Sequence, residues 1–169
     1  MKNVHGKEDT LITVQIDQML AENFGMEYVD RDGEKKRPYI IHRTSLGCYE
    51  RTLALMLEKY AGALPTWIAP EQVRILSLTE RTADVCSEIN GVLLQEDIRS
   101  ELDLRSKKIG YKIREAQMEK VPYMLIVGDK EAEEGLVAVR SRRDGDLGTM
   151  TLEDFLVRIQ QEIDERVHD

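Results

Sequence analysis

The stretch IIHRTSLGCYER, residues 40–51, gathers an imidazole, two guanidiniums, a glycine and a thiol. An apolar run ends in His42-Arg43, Gly47 follows, and a helix begins near Glu50-Arg51. A strand that delivers an arginine past a glycine suits a nucleotide, because a guanidinium grips phosphate oxygens through a planar donor fork. Taken alone, Arg51 reads more simply as a helix-surface arginine paired with Glu50 or Glu58. A second group of such residues comes later, with Glu131 followed by Arg140, Arg142 and Arg143. A polar strand edge of this kind suits single-stranded RNA, where hydrogen bonds to unstacked base edges give specificity and arginines hold phosphates. The alternative is an exposed edge with alternating arginines and no ligand.

Other chemistries find less support. No Walker loop and no GxGxxG is present, and Gly128-Asp129-Lys130 reads as a polar turn rather than a phosphate cradle. His5, His42 and His168 are scattered, whereas a structural zinc usually takes four side-chain ligands. No Ser/His/Asp or Cys/His arrangement is suggested locally, and nothing beside Cys48 would activate its thiol.

The elements that must position these residues belong to a chain of 169 residues, 41% hydrophobic and 33% charged, a globular balance. One domain, or one domain with an appendage, is expected. No apolar run approaches the roughly 20 residues of a membrane span, and no basic-then-apolar leader appears. Cys48 and Cys86 lack metal-type spacing and fit a reducing compartment, so a cytoplasmic location is expected. The net charge of −8 conceals an uneven distribution. Residues 104–143 carry ten basic and six acidic side chains, a local +4 that leaves −12 on the remainder. Such a zone can recruit a polyanion while the acidic remainder keeps the protein dissolved.

Periodicity predicts a strand over Thr10–Asp17, a short helix or loop, a turn at Asp30–Gly33 and a returning strand over Arg37–His42. A helix over Cys48–Tyr60 should turn Leu53, Leu57 and Tyr60 inward and close at Ala61-Gly62. Pro65 and Pro70 bracket Trp67 in a joint. Beyond it come a strand (73–78), a helix (82–95) with Val85, Ile89, Val92 and Leu93 inward, and a half-exposed strand (98–104). A helix (109–119) and a strand buried on both faces (121–127) follow. An acidic turn (130–135) leads to a strand (136–142), and Thr151 caps a last helix running to about Val167. The fold class is α/β, with a mixed sheet flanked by helices.

Four segments together, HRTSLGCYER (42–51), AGALPTWIAPEQV (61–73), RSKKIGYKIREAQMEKVPYMLIVGDKE (105–131) and VAVRSRRDGDLGTM (137–150), resemble the C-terminal end of the threonyl-tRNA synthetase family. The resemblance covers almost the whole chain. It implies a remnant of a class II catalytic domain over 1–64, a linker over 65–70 and an anticodon-binding domain over 71–169. Such enzymes make threonyl-adenylate from threonine and ATP and then charge the tRNA. In the third class-defining motif Arg51 would pack on ATP, and Gly47 would leave room for the nucleotide. His42 would be one of three protein ligands to a catalytic zinc, and Thr13 and Gln15 would line the threonine and adenylate pocket. Zinc would bind the amino and hydroxyl groups of threonine and so reject valine. In the anticodon-binding domain Arg140 and Glu131 would read bases. Lys108 and Lys120 would face the anticodon loop, and Ser106 stands where many relatives have asparagine. Arg142 and Arg143 would touch phosphate or solvent.

The chain departs from the family by omission. The first two class motifs, the other two zinc ligands, the editing domain and the dimer core have no counterpart in this sequence, and Asp9-Thr10 replaces a Trp-Gln pair. The expectation is therefore a chain that binds the anticodon arm of threonine tRNA, with no DNA or membrane partner. ATP, magnesium and zinc would belong to the full-length enzyme, with none bound tightly by this chain alone. It would associate with the missing catalytic portion or complete a split synthetase. A third reading is a regulatory or scaffold module that no longer binds tRNA.

Overall fold

The computed structural model describes residues 2–8 and 10–168, so Asp9 lies outside the described residues. The chain divides into two compact units, residues 1–59 and 60–169. In the first, the branched run TVQID forms β1 (Thr13–Asp17). The Asp17 carboxylate accepts the N–H groups of Met19 and Leu20 at 2.9 Å each. These bonds launch the single turn α1 (Leu20–Asn23). Strands β2 (Tyr28–Val29) and β3 (Lys35–Lys36) form a small hairpin around the expected turn, where Gly33 takes a φ of 81°. β4 (Ile40–Thr44) returns antiparallel to β1, with Thr13 opposite Thr44 and Gln15 opposite His42.

α2 (Tyr49–Lys59) follows, but its expected inward face is corrected. Leu53 and Leu57 are exposed, and Leu55 is buried instead. The reason is the thinness of the unit: among its described apolar residues only Ala21 and Leu55 are buried. No second layer within the unit covers the Leu53–Leu57 stripe.

The second unit is built on a five-stranded sheet. β5 (Val73–Ser77), β6 (Ser100–Asp103) and β7 (Tyr123–Val127) are parallel, and β8 (Leu136–Ser141) and β9 (Gly145–Thr151) are antiparallel, in the order β6-β5-β7-β8-β9. The half-exposed second strand is at the edge, and the apolar run YMLIV lies at the centre, as their patterns predict. α3 (Ala83–Gln95) packs Cys86, Ile89 and Leu93 on one face of the sheet, together with Phe155 and Ile159 of α6 (Leu152–Asp164). Val92, expected inward, is exposed. Thr151 caps α6, accepting the Asp154 N–H at 3.1 Å. α4 (Ile109–Met118) crosses the opposite face, where Ala116 packs with Leu76, Val121 and Met124.

Two features differ from the expectation. The acidic turn is a helix, α5 (Asp129–Glu134), closed by Gly135 at φ 68°. DKEAEE is rich in helix-forming Ala, Glu and Lys, which outweigh its polarity. β9 was not anticipated, because GDLGTMT carries two glycines and little β-branching. It pairs with β8 across a bulge at Val139/Arg140. Within the segment 65–70, Thr66–Ile68 makes a turn of 3-10 helix, and Thr66 and Ala69 are buried.

Candidate nucleic-acid interface

The two candidate sites fall in different units. In the first, pairing brings Thr13, Gln15, His42 and Thr44 onto one face of the β1–β4 ribbon, because opposite residues of an antiparallel pair share a face. Thr13 Oγ1 lies 2.9 Å from Thr44 Oγ1, and His42 Nε2 lies 3.6 Å from the Asp17 carboxylate. One imidazole and one carboxylate do not make a zinc cage. Among the described residues no three His, Cys, Asp or Glu side chains come together. The donor set does not fit zinc, and no chemistry is assigned to a metal here.

Gly47 and Arg51, both exposed, are brought to the same end of the ribbon, beside residues 10–11. Arg51 Nη1 donates to the Thr10 carbonyl at 2.9 Å. Gly47 has a φ of 67°, and a Cβ there would lie 2.6 Å from the Leu11 carbonyl oxygen. A side chain at this position would therefore meet the chain's own backbone. The reverse face of the ribbon carries Val14, Ile16 and Ile41, each roughly two-thirds exposed.

The second unit holds the RNA candidates. β5 and β6 are adjacent and parallel, yet their chains leave toward opposite faces, into α3 and α4. A crevice opens at the carboxyl ends of strands where connections diverge in this way. Here it is a cleft of about 340 Å³ lined by Ser77–Glu80 and Leu104–Lys108, so Ser106 and Lys108 stand on its wall. Glu131, in the α5 turn after the neighbouring strand β7, is oriented by accepting the Gly128 N–H at 3.0 Å. Its other carboxylate oxygen has no partner among the described residues and remains an acceptor.

Arg140 lies apart from this cleft. It sits on β8 opposite Met124, near the amino end of β7, and opposite Asp146 of β9. α4 packs on Leu76 of β5 and Met124 and Ile126 of β7, and on the same side of the sheet β8 and β9 present Ala138, Arg140, Asp146 and Thr149, the last two exposed. Lys120 also lies at the amino end of β7, but its ammonium donates to the Ala61 carbonyl. The candidate RNA residues thus divide between the two ends of the sheet.

The basic zone is smaller than its residue count. Lys112 is buried, its Nζ donating to the carbonyls of Ser77 and Asp103 at 2.9 Å each, directly beneath the cleft. Its place was legible in the helix period, three residues after Ile109 and four before Ala116. Arg105 pairs with Asp103 and Glu115. The Arg105 guanidinium holds the Asp103 carboxyl below its ordinary range, aided by a backbone N–H and by Lys112. Lys107, Lys108, Arg114 and Arg140 make no side-chain hydrogen bond or ion pair among the described residues. They form the available cationic surface, from the cleft along α4 to the β8–β9 face.

An α/β module with a cleft at its strand ends, an oriented acceptor and cations without partners among the described residues suits a polyanion. Residues 72–162 match the family model described as the anticodon binding domain, and residues 1–60 match the class II tRNA synthetase core domain (G, H, P, S and T). The chain belongs to the anticodon-binding domain family. It is 62% identical over 98% of its length to a threonine–tRNA ligase of Clostridium perfringens, and 56% identical over 96% to one of Clostridium botulinum. It spans about a quarter of the length of these relatives (26% and 25%). Among solved structures, the RNA binding domain of threonyl-tRNA synthetase from Cryptosporidium parvum Iowa II superposes with a TM-score of 0.80 at 30% identity. That match covers 95% of this chain and 41% of the other. A prolyl-tRNA synthetase from Cryptosporidium parvum shares the fold, with a TM-score of 0.72 over 92% of this chain and 34% of its own, at 24% identity.

Proposed function

We propose that this chain is the C-terminal part of a threonyl-tRNA synthetase, that it acts in the cytoplasm, and that its second unit binds the anticodon arm of threonine tRNA. The carrying observation is the β8–β9 face and cleft of the mixed sheet, where Arg140, Lys108 and Glu131 present donors, a cation and an acceptor without internal neutralisation. Arg140 and Glu131 read base edges, Lys108 holds phosphate, and Ser106 makes a shorter polar contact on the cleft wall. Threonylation with ATP is the activity of the full enzyme. This chain alone does not catalyse it, because among the described residues its ribbon brings together one imidazole and one carboxylate, where a zinc site needs more donors. Binding of the isolated chain to threonine tRNA and to an unrelated tRNA at the same salt tests the reading. Tighter binding of threonine tRNA is expected, and equal affinity contradicts it.

The exposed apolar face Val14, Ile16 and Ile41 supports a second element of the proposal. The first unit associates with the missing catalytic portion, which supplies further strands to the two-stranded ribbon. Co-expression with that portion should restore ATP–pyrophosphate exchange.

A further inference from the structure

The segment by which the chain enters the second unit is held carbonyl by carbonyl. Lys120 donates to Ala61, Arg142 to Leu64 at 2.9 Å, Gln72 to Thr66 at 2.9 Å, and Arg99 to both Trp67 and Ala69 at 3.1 and 2.9 Å. Gln72 is buried, and its bond lies inside the fold. The Lys120–Ala61 bond is solvent-exposed and holds a full positive charge against a neutral carbonyl.

Both ends of that contact are conformationally costly. Lys120 takes φ 61° and Ala61 φ 49°, in the left-handed region that side chains disfavour. The carbonyl of Lys120 also accepts Arg142 Nη1 at 2.6 Å, so the lysine backbone is fixed while its ammonium can change partner. Arg140 is two residues from Arg142 on β8 and opposite Met124, four residues past Lys120. Arg140 and Lys120 therefore both stand toward the amino end of β7.

We propose that Lys120 is a latch on residues 61–63, opened when a phosphate of bound RNA takes its ammonium from the Ala61 carbonyl. The phosphate wins because a hydrogen bond between two charged groups is roughly twice as strong as one to a neutral acceptor. Opening stops at Leu64, where Arg142 holds the next carbonyl. The inference rests on RNA binding by the second unit and adds a consequence of that binding at the entry segment.

The reporter is the Ala63 amide, which donates to the Tyr60 carbonyl at 2.8 Å. Hydrogen exchange is followed on the whole chain with and without a threonine tRNA transcript, while fluorescence anisotropy of labelled transcript reports binding independently. In the wild type, bound RNA should speed Ala63 exchange about tenfold, the loss of one charge-assisted hydrogen bond. Lys120→Gly keeps the left-handed turn, which glycine favours, and removes the ammonium. Its Ala63 amide should exchange fast without RNA and change little with it. Bound RNA with unchanged or slowed Ala63 exchange overturns the latch and leaves RNA binding standing, as does slow exchange in Lys120→Gly. No binding at all overturns both.

Discussion

Lys112 lies where α4 meets the sheet, its Nζ against the carbonyls of Ser77 and Asp103, the Ser77 hydroxyl and the Asp103 carboxylate. Its removal would leave the buried carbonyls of Ser77 and Asp103 without their shared donor, while the Asp103 carboxylate keeps Arg105. Lys112→Ala should therefore destabilise the second unit by about 1–3 kcal/mol, the cost of leaving buried acceptors unsatisfied, as read by urea unfolding. Asp103 is the accompanying titration. Its carboxyl is depressed chiefly by Arg105, so the stability it contributes is complete above the ordinary carboxylate range and is lost as pH falls through its lower folded value. Arg105→Gln should move the Asp103 titration upward in an NMR pH series; an unchanged titration would contradict the assignment. The sequence counts Lys112 and Arg105 as surface cations because composition records type and not partner. Arg140 and Lys108 were legible as available bases. Lys120 was not legible as a backbone clamp, because its acceptor is a carbonyl 59 residues away.

At the scale of elements, the two units bury very different amounts of apolar surface. β5 and β7 lie between two helical layers, whereas the β1–β4 ribbon exposes Val14, Ile16 and Ile41. Amides that pair β1 with β4 should exchange orders of magnitude faster than those of β5 and β7, since local opening follows local burial. Comparable protection in both would contradict this account. The elements of the sheet were readable where pattern and burial agree: YMLIV at the centre, Ser100–Asp103 at the edge, and the Cys86–Ile89–Leu93 stripe of α3. They were not readable where burial is set from elsewhere in the chain. β9 is a strand because β8 offers it an edge, and α5 is a helix because Glu131 and Gly135 close its ends. The exposed Leu53–Leu57 stripe of α2 follows the period of a buried helix face that this unit does not cover.

For the whole molecule, the uneven charge is the property that matters. The net −8 opposes RNA at long range, and the unpaired cations Lys107, Lys108, Arg114 and Arg140 attract it locally. Binding should thus be strongly salt-dependent, and its specificity should rest on the few groups that reach bases. The most direct measurement is affinity for threonine tRNA and for an anticodon-altered transcript across salt concentrations, in the wild type and in Arg140→Ala. A base-reading Arg140 predicts a loss of about 1–3 kcal/mol for threonine tRNA and a relaxed anticodon preference. An Arg140→Ala chain with wild-type affinity and wild-type preference at every salt concentration would contradict the assignment of the β8–β9 face to the anticodon.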